Sequence, residues 1–276
     1  MTNQNITEIL ISTLQDPEIR KFEENFLEHS VKQRMKSLNL GDTVSYMDTL
    51  SRSSQERMHF TQSLLVGFSE FFRNPVTYSI LGKIILPGLV ESARSNANKE
   101  IRIWSAACAG GQEAYSLAMI LDELFQMTNG CFNFRIFATD INPAMISFAK
   151  QGVYDAQQLG KVPYKFVNSY TQRAGNHYSI LPAVAEKVLF SEFDLLSSGH
   201  YCPPACIYGD FDVVLCCNIL FYYNEEIRQN ILKKAAKCLK PDGFLVTGET
   251  ERALIPARSF REVYAPSAIF IKKNLL

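Results

Sequence analysis

Six small residues, Ala106-Ala-Cys-Ala-Gly-Gly111, follow the strand-like run Ile101-Arg-Ile-Trp-Ser-Ala106. With almost no side-chain bulk in the way, a ligand can approach that backbone closely, and a helix opening at about Glu113 presents its first N–H groups there. The loop suits a nucleotide-like ligand. The G-x-G-x-x-G of dinucleotide sites is absent, which argues against an NAD-dependent enzyme. Asp140 stands twenty-nine positions after Gly111, at the end of a second strand, where a carboxylate can accept both hydrogen bonds of a ribose diol. Glu113 is either a charge favoured by the helix dipole or a wall of the same pocket. Asp194, after Val188-Leu-Phe-Ser-Glu-Phe, ends a third strand, where it either accepts from an adenine amine or caps a turn. Carboxylates and small residues, without donors gathered for a pyrophosphate, suit an adenosine with a positively charged tail. S-adenosylmethionine is such a ligand.

The elements that must position these residues alternate from Glu100 onward between short strands and helices, the pattern of a doubly wound α/β sheet. Phe134-Arg-Ile-Phe-Ala138 is a strand, and a helix opens at Asn142-Pro143, where Asn caps and Pro suits the first turn. Phe211 to Cys216 is a strand, Glu225 to Leu239 a helix closed by Lys240-Pro-Asp-Gly243, and Phe244 to Thr247 a strand. Phe260 to Lys272 reads as a two-stranded ribbon. Residues 152–190 break the alternation with three β-like runs, Tyr164 to Val167, His177 to Ile180 and Lys187 to Phe190, which predict a small antiparallel insertion. Before the sheet, Phe22, Phe26, Leu27, Val31 and Met35 fall near helical spacing and predict an all-helical N-terminal domain over 1–72, ahead of a 73–276 α/β domain. Its face carries Lys32, Arg34, Lys36, Arg52 and Arg57, either a solvated surface or a docking face for an acidic helix.

Composition bounds the partners. The chain has 276 residues, 47% hydrophobic and 20% charged, with 28 basic against 28 acidic side chains. A net charge of zero supplies no whole-molecule field for nucleic acid or anionic lipid. The N-terminus lacks a basic region leading into an apolar stretch, and the run Phe211 to Tyr223 falls short of the ~20 residues that span a bilayer, so no membrane insertion and a cytoplasmic location are expected. Seven cysteines fit reduced thiols. His200, Cys202 and Cys206 offer three metal ligands without an obvious fourth, and no metal is expected.

Four stretches together carry a resemblance: Ser69-Glu-Phe-Phe-Arg73, Ile103 to Ser116 through the small turn, Ala138-Thr-Asp140, and Phe211 to Tyr222. In this order they resemble the CheR family, the chemotaxis-receptor protein-glutamate O-methyltransferases, from about residue 20 to 250. The resemblance implies a Rossmann-like methyltransferase sheet with a β-subdomain, and methyl transfer from S-adenosylmethionine to receptor glutamates, leaving S-adenosylhomocysteine. It implies catalytic roles for Arg73, which matches the arginine of the family's T-x-F-F-R motif, and for Tyr222. It implies cofactor contacts at Ser69, Arg73, Ala106, Glu113, Asp140, Ile141, Asp194, Leu195, Asn218 and Ile219. It also implies that Lys32, Arg34 and Lys36 face the receptor's acidic cytoplasmic helices; a monomer is the default expectation. The chain departs from the family pattern at Gly67 (usually Asn), Ser69 (Thr), Ala107 (Gly), Gly110 (Thr), Gln112 (Glu), Ala114 (Pro), Asp194 (Asn) and Cys217 (Arg), and its segment from His200 to Asp210 is longer. A cofactor-binding regulator without turnover, or a methyltransferase for another carboxylate, are the alternatives these departures leave.

Overall fold

The computed structural model describes residues 5–95, 100–206 and 209–273. The chain forms two compact units, Met1–Val66 with Ile219–Asn230, and Gly67–Asn218 with Ile231–Leu276. The division thus falls after residue 66 rather than 72, and a short segment far down the chain belongs with the N-terminal unit.

That unit is built on four helices, α1 (Ile6–Leu14), α2 (Glu24–Ser37), α3 (Thr43–Arg52) and α4 (Ser54–Ser63). Side-chain oxygens of Asn5, Asp42 and Ser53 accept from the first free N–H groups of α1, α3 and α4, which is what Asn, Asp and Ser do at an N-cap. Leu10, Leu27, Val31, Tyr46, Leu50 and Phe60 form its core. The segment 219–230 joins through aromatic rings: Tyr223 stacks on Phe22 with centroids 5.5 Å apart, and Tyr222 packs against Phe26 at 4.7 Å. The Glu23 N–H donates to the Tyr222 carbonyl at 2.8 Å, and Arg228 reaches the Glu23 carboxylate at 3.1 Å.

The expected basic face is largely committed within the unit. Arg34 donates to both oxygens of the buried Glu56 carboxylate, at 2.9 and 2.7 Å, and the Tyr46 hydroxyl adds a third bond at 3.0 Å. These bonds hold the Glu56 carboxyl below its usual range. Arg52 pairs with Asp48, Lys32 with Glu28, and Arg57 donates to the carbonyls of Leu50 and Ser51. Arg34 is half-buried and its charge is met in part by Glu56, while Lys32 and Lys36 stay exposed.

The second unit carries seven strands in one sheet and three in another. The large sheet holds β1 (Glu100–Ala106), β2 (Asn133–Asp140), β6 (Val188–Glu192), β7 (Phe211–Cys216), β8 (Leu239–Thr247), β9 (Phe260–Val263) and β10 (Ile269–Lys272). Their order is β6-β2-β1-β7-β8-β10-β9, parallel from β6 to β8 and antiparallel at β10 and β9. The order turns outward in both directions from β1, so the carboxyl ends of β1 and β7 flank the switch point where open α/β sheets bind ligands. The small antiparallel sheet is β3 (Val153–Asp155), β4 (Thr171–Ala174) and β5 (His177–Ile180), ordered β3-β5-β4.

Helices α5 (Pro75–Ile80) and α6 (Leu86–Ser95), joined by a π turn over Leu81–Ile85, precede β1, and α7 (Gln112–Met127) and α8 (Pro143–Gln151) cover β1 and β2. Helices α9 (Tyr164–Tyr170) and α10 (Pro182–Ala185) are short, and α11 (Glu225–Cys238) leads into β8. By length and composition Pro75–Arg94 is apolar enough to cross a membrane, but Leu81, Ile85, Leu86, Val90 and Ala93 lie in the core of the α/β unit.

Three sequence expectations change here. Tyr164 to Val167 is helical, because Pro163 sets the N-cap and Phe166 and Tyr170, four apart, bury one face. Of the run Lys187 to Phe190, Val188 onward belongs to β6 of the large sheet, paired in parallel with β2, not to the insertion. Lys240-Pro-Asp-Gly243 lies within β8, where the register against β7 shifts between Phe211 and Val213.

Candidate active site

The turn after β1 is held open by unusual backbone. Ala107 and Ala109 have φ of 59° and 45°, and Gly111 has 85°. At Gly111 a Cβ would lie 2.9 Å from the Ala149 side chain, so only glycine lets α7 start against α8. Phe72 and Asn218, at φ of 48° and 58°, are left-handed as well. Strained residues of this kind persist where the surroundings over-determine them, and here four non-glycine examples belong to the predicted ligand-binding segments.

Asp140 does two structural jobs at the turn. Its Oδ2 accepts from Ala109 N–H and its Oδ1 from Asn142 N–H, each at 2.9 Å, tying the β1 turn to the start of α8. Each carboxylate oxygen keeps a second lone pair, so the ribose reading remains compatible with this clasp. Burial raises the Asp140 carboxyl above its usual range. Beyond it, Ile141 leaves half its apolar side chain exposed at the rim (51%).

Glu113 sits half-buried in the first turn of α7, and Ser105 Oγ on β1 donates to its Oε1 at 2.8 Å. Desolvation pushes its carboxyl up to about 7, against the pull of bonds from Ser105 and the Cys217 thiol and of the Arg73 charge, while Glu251 pushes the same way as burial. A carboxylate placed this way gains from any ligand cation that replaces its lost water.

Arg73 follows two buried phenylalanines. Phe71 is fully buried, and the Phe72 N–H donates to Ser116 Oγ on α7 at 3.1 Å, which fixes the segment to the helix carrying Glu113. The guanidinium lies 5.2 Å from the ring centroid of Phe68 and has no hydrogen bond or ion pair among the described residues. An arginine stacked on one face and bare at its donor edge is suited to hold a carboxylate. Ser69 and Gly67 line a cleft of about 630 Å³ with Gly110, Gln112, Met145 and Lys161. Met145 Sδ stands 2.9 Å from where a Cβ on Gly67 would be, so methionine fills the space of the missing side chain. Gln112 Oε1 is buried without a hydrogen-bond partner, and a neutral amide there costs less than the carboxylate usual in the family.

The remaining expected residues divide. Ala106 ends β1 and is buried, as is Leu195. Asp194 is exposed and its Oδ1 accepts from Leu196 N–H at 2.8 Å, so its carboxylate caps a turn. Asn218 ends the crossing from β7, with its N–H donated to Glu251 Oε2 at 2.7 Å. Ile219 and Tyr222 belong to the N-terminal unit, where Tyr222 makes the aromatic contact with Phe26 described above. Sequence reading missed Ser105, Cys217 as a thiol partner of Glu113, and Glu251. Only the first had a signal, a hydroxyl on the strand facing the small turn.

The cysteine segment is self-satisfied. Arg102 donates to Cys206 Sγ at 2.9 Å, Cys202 Sγ donates to the Cys206 carbonyl at 3.0 Å, and none of the seven cysteines is in a disulfide. Among the described residues no group of three or more His, Cys, Asp or Glu side chains is placed to hold a metal.

Residues 67–269 match the family described as CheR methyltransferase, SAM binding domain. The chain is 32% identical over 218 residues to chemotaxis protein methyltransferase 1 of Pseudomonas aeruginosa, covering 77% of this chain and 75% of that one. It is 30% identical over 245 residues to the chemotaxis protein methyltransferase of Salmonella typhimurium, covering 85% and 80%. An uncharacterised 104.1 kDa protein of Rhodobacter capsulatus matches at 28% identity over 83% of this chain but only 24% of its own length. On this match the chain belongs to the CheR methyltransferase family and carries its S-adenosylmethionine-binding domain.

Proposed function

We propose that the chain transfers a methyl group from S-adenosylmethionine to glutamate side chains of chemotaxis receptors, on their cytoplasmic helices, forming methyl esters. The observation that carries the reading is a bare arginine beside a desolvated carboxylate at the switch point of a sheet of this family. S-adenosylmethionine, when bound, supplies an electrophilic methyl carbon on a cationic sulfur. The residues present fit such a molecule. Glu113 holds the ammonium of its amino-acid tail, the small turn from Ala106 to Gly111 admits the nucleoside, and Asp140 accepts from the ribose hydroxyls.

A substrate glutamate is ionised at neutral pH, with an ordinary carboxyl near 4.3, so the site needs no general base. That agrees with a pocket whose own carboxylates serve binding. Arg73 orients the incoming carboxylate by its two-pronged donor edge, and the buried Phe71 and Phe72 keep that edge in place. Holding the reactants in line at near-attack distance supplies the acceleration. Tyr222 is proposed as a second catalytic residue on the family match alone. The chain acts as a monomer without membrane insertion.

The test is incubation of the full chain with a receptor cytoplasmic fragment and labelled methyl donor. Base-labile label on receptor glutamates is the expected outcome. Normal binding of S-adenosylhomocysteine with no ester on any receptor fragment would instead favour a regulator that has lost turnover.

A further inference from the structure

The short helical turn Glu249–Leu254 after β8 buries a carboxylate completely, that of Glu251. Its Oε2 accepts from two backbone N–H groups on neighbouring strand ends, Gly248 at 2.8 Å after β8 and Asn218 at 2.7 Å after β7. Asn218 is left-handed, a backbone state that needs external support in a residue with a side chain. The fit is close: a Cβ on Gly248 would stand 2.5 Å from Asn218 Nδ2 and 2.7 Å from Glu251 Oε2. A side chain at position 248 would have to displace one of these two groups.

Burying a carboxylate is costly unless charge-assisted bonds satisfy it, and an amide or hydroxyl would satisfy the same N–H groups without an ion. The fold nonetheless keeps a full carboxylate at this point. That carboxylate acts on Glu113, which feels Glu251 as a like charge. The other groups facing Glu113 are Arg73 before α5, Tyr78 of α5, Cys108 in the turn, and Cys216 and Cys217 at the end of β7. Among these only Arg73 brings a positive charge.

We propose that Glu251 is a positioning residue of this site: its carboxylate locks Asn218 at the end of β7 and supplies a second negative charge that favours a cationic tail at Glu113. It touches neither reactant in this proposal and acts through Asn218 and Glu113. The inference rests on the methyl-donor reading of the pocket given above.

Titration calorimetry of the full chain with S-adenosylhomocysteine, whose tail keeps the ammonium, separates the two roles across about pH 5.5 to 8.5. Glu251→Gln is expected to weaken binding about tenfold at the alkaline end, the scale of a lost charge-assisted bond. It is also expected to move the pH at which binding is half-maximal downward, because Glu113 loses a neighbouring anion. Gly248→Ala crowds both Asn218 and Glu251 and is expected to weaken binding. A purely structural role for Glu251 would not move the pH midpoint.

Wild-type affinity and midpoint in Glu251→Gln would overturn the proposal. If Glu251→Gln does not fold, Glu251→Asp keeps the charge with a shorter reach, and weaker binding at an unmoved midpoint is then expected; a shifted midpoint would overturn it. Failure of the wild-type chain to bind S-adenosylhomocysteine at any pH is a different result, which removes the methyl-donor reading and this inference with it.

Discussion

The helical unit and the rim of the α/β sheet treat their charges in opposite ways. In the first, Arg34, Glu56 and Tyr46 close a triad in which both carboxylate oxygens find donors. At the rim, Arg73 has only a ring beneath it, and Glu113 has one hydroxyl and one thiol for a carboxylate that burial drives to about 7. On the function proposed above, charges that serve the fold are completed within the protein, and charges that serve a ligand are left partly unmet. Side chains of the same types therefore answer mutation differently in the two places, in folding stability at one and in function at the other.

The strongest way to break this contrast is Arg73→Ala. Methyl ester formation should fall about 10²- to 10³-fold, the range for losing one preorganised donor at a reacting centre. The melting temperature should hardly change, because the guanidinium has no hydrogen bond or ion pair among the described residues, only the Phe68 ring. A large loss of stability with normal turnover would reverse the assignment. Arg34→Ala is the mirror experiment. It leaves a buried carboxylate uncompensated and should destabilise the helical unit by about 3 kcal/mol, read by chemical denaturation.

The acid response sharpens the same comparison. Glu56 has a depressed carboxyl, so its contribution to stability is present above the ordinary carboxylate range and is lost as pH falls through its lowered value. Glu113 has a raised carboxyl, so its neutral form is favoured in the free protein, and affinity for a cationic tail should decline as pH drops below about 7. The limit is about tenfold per pH unit for one titrating group. Glu113→Gln should weaken binding and flatten that dependence. The smallest effect is expected at Asp194, an exposed turn cap: Asp194→Asn, which can still cap, should change stability by less than about 0.5 kcal/mol and cofactor affinity by less than about twofold.

The parts of this design that were legible in the sequence are those with local causes. The β1 turn was visible because six small residues in a row have few other uses, and α8 because Asn142-Pro143 is a cap followed by a first-turn proline. Tyr164 to Val167 misled because Tyr, Phe and Val favour strands, while burial of Phe166 and Tyr170 on one helical face decided the outcome. The strand β6 was read both as a third strand ending at Asp194 and as part of the insertion, because its partner β2 lies some fifty residues earlier, a pairing that no local pattern records. The pairing of Arg34 with Glu56 was hidden for a similar reason, since Glu56 lies on another helix. Glu251 had no signal at all. Its meaning comes from two N–H groups on strands that only the folded sheet brings side by side.

The aromatic seating of residues 219–230 bears on how this protein can be cut. A fragment starting at residue 67 would retain Tyr222 and Tyr223 but not Phe22 and Phe26, on which those rings rest, and Arg228 would lose Glu23. The tongue would emerge with its apolar side bare, in a stretch that leads straight from Asn218. Shortened versions of the enzyme are therefore expected to be sticky and poorly behaved even though the sheet they keep is whole.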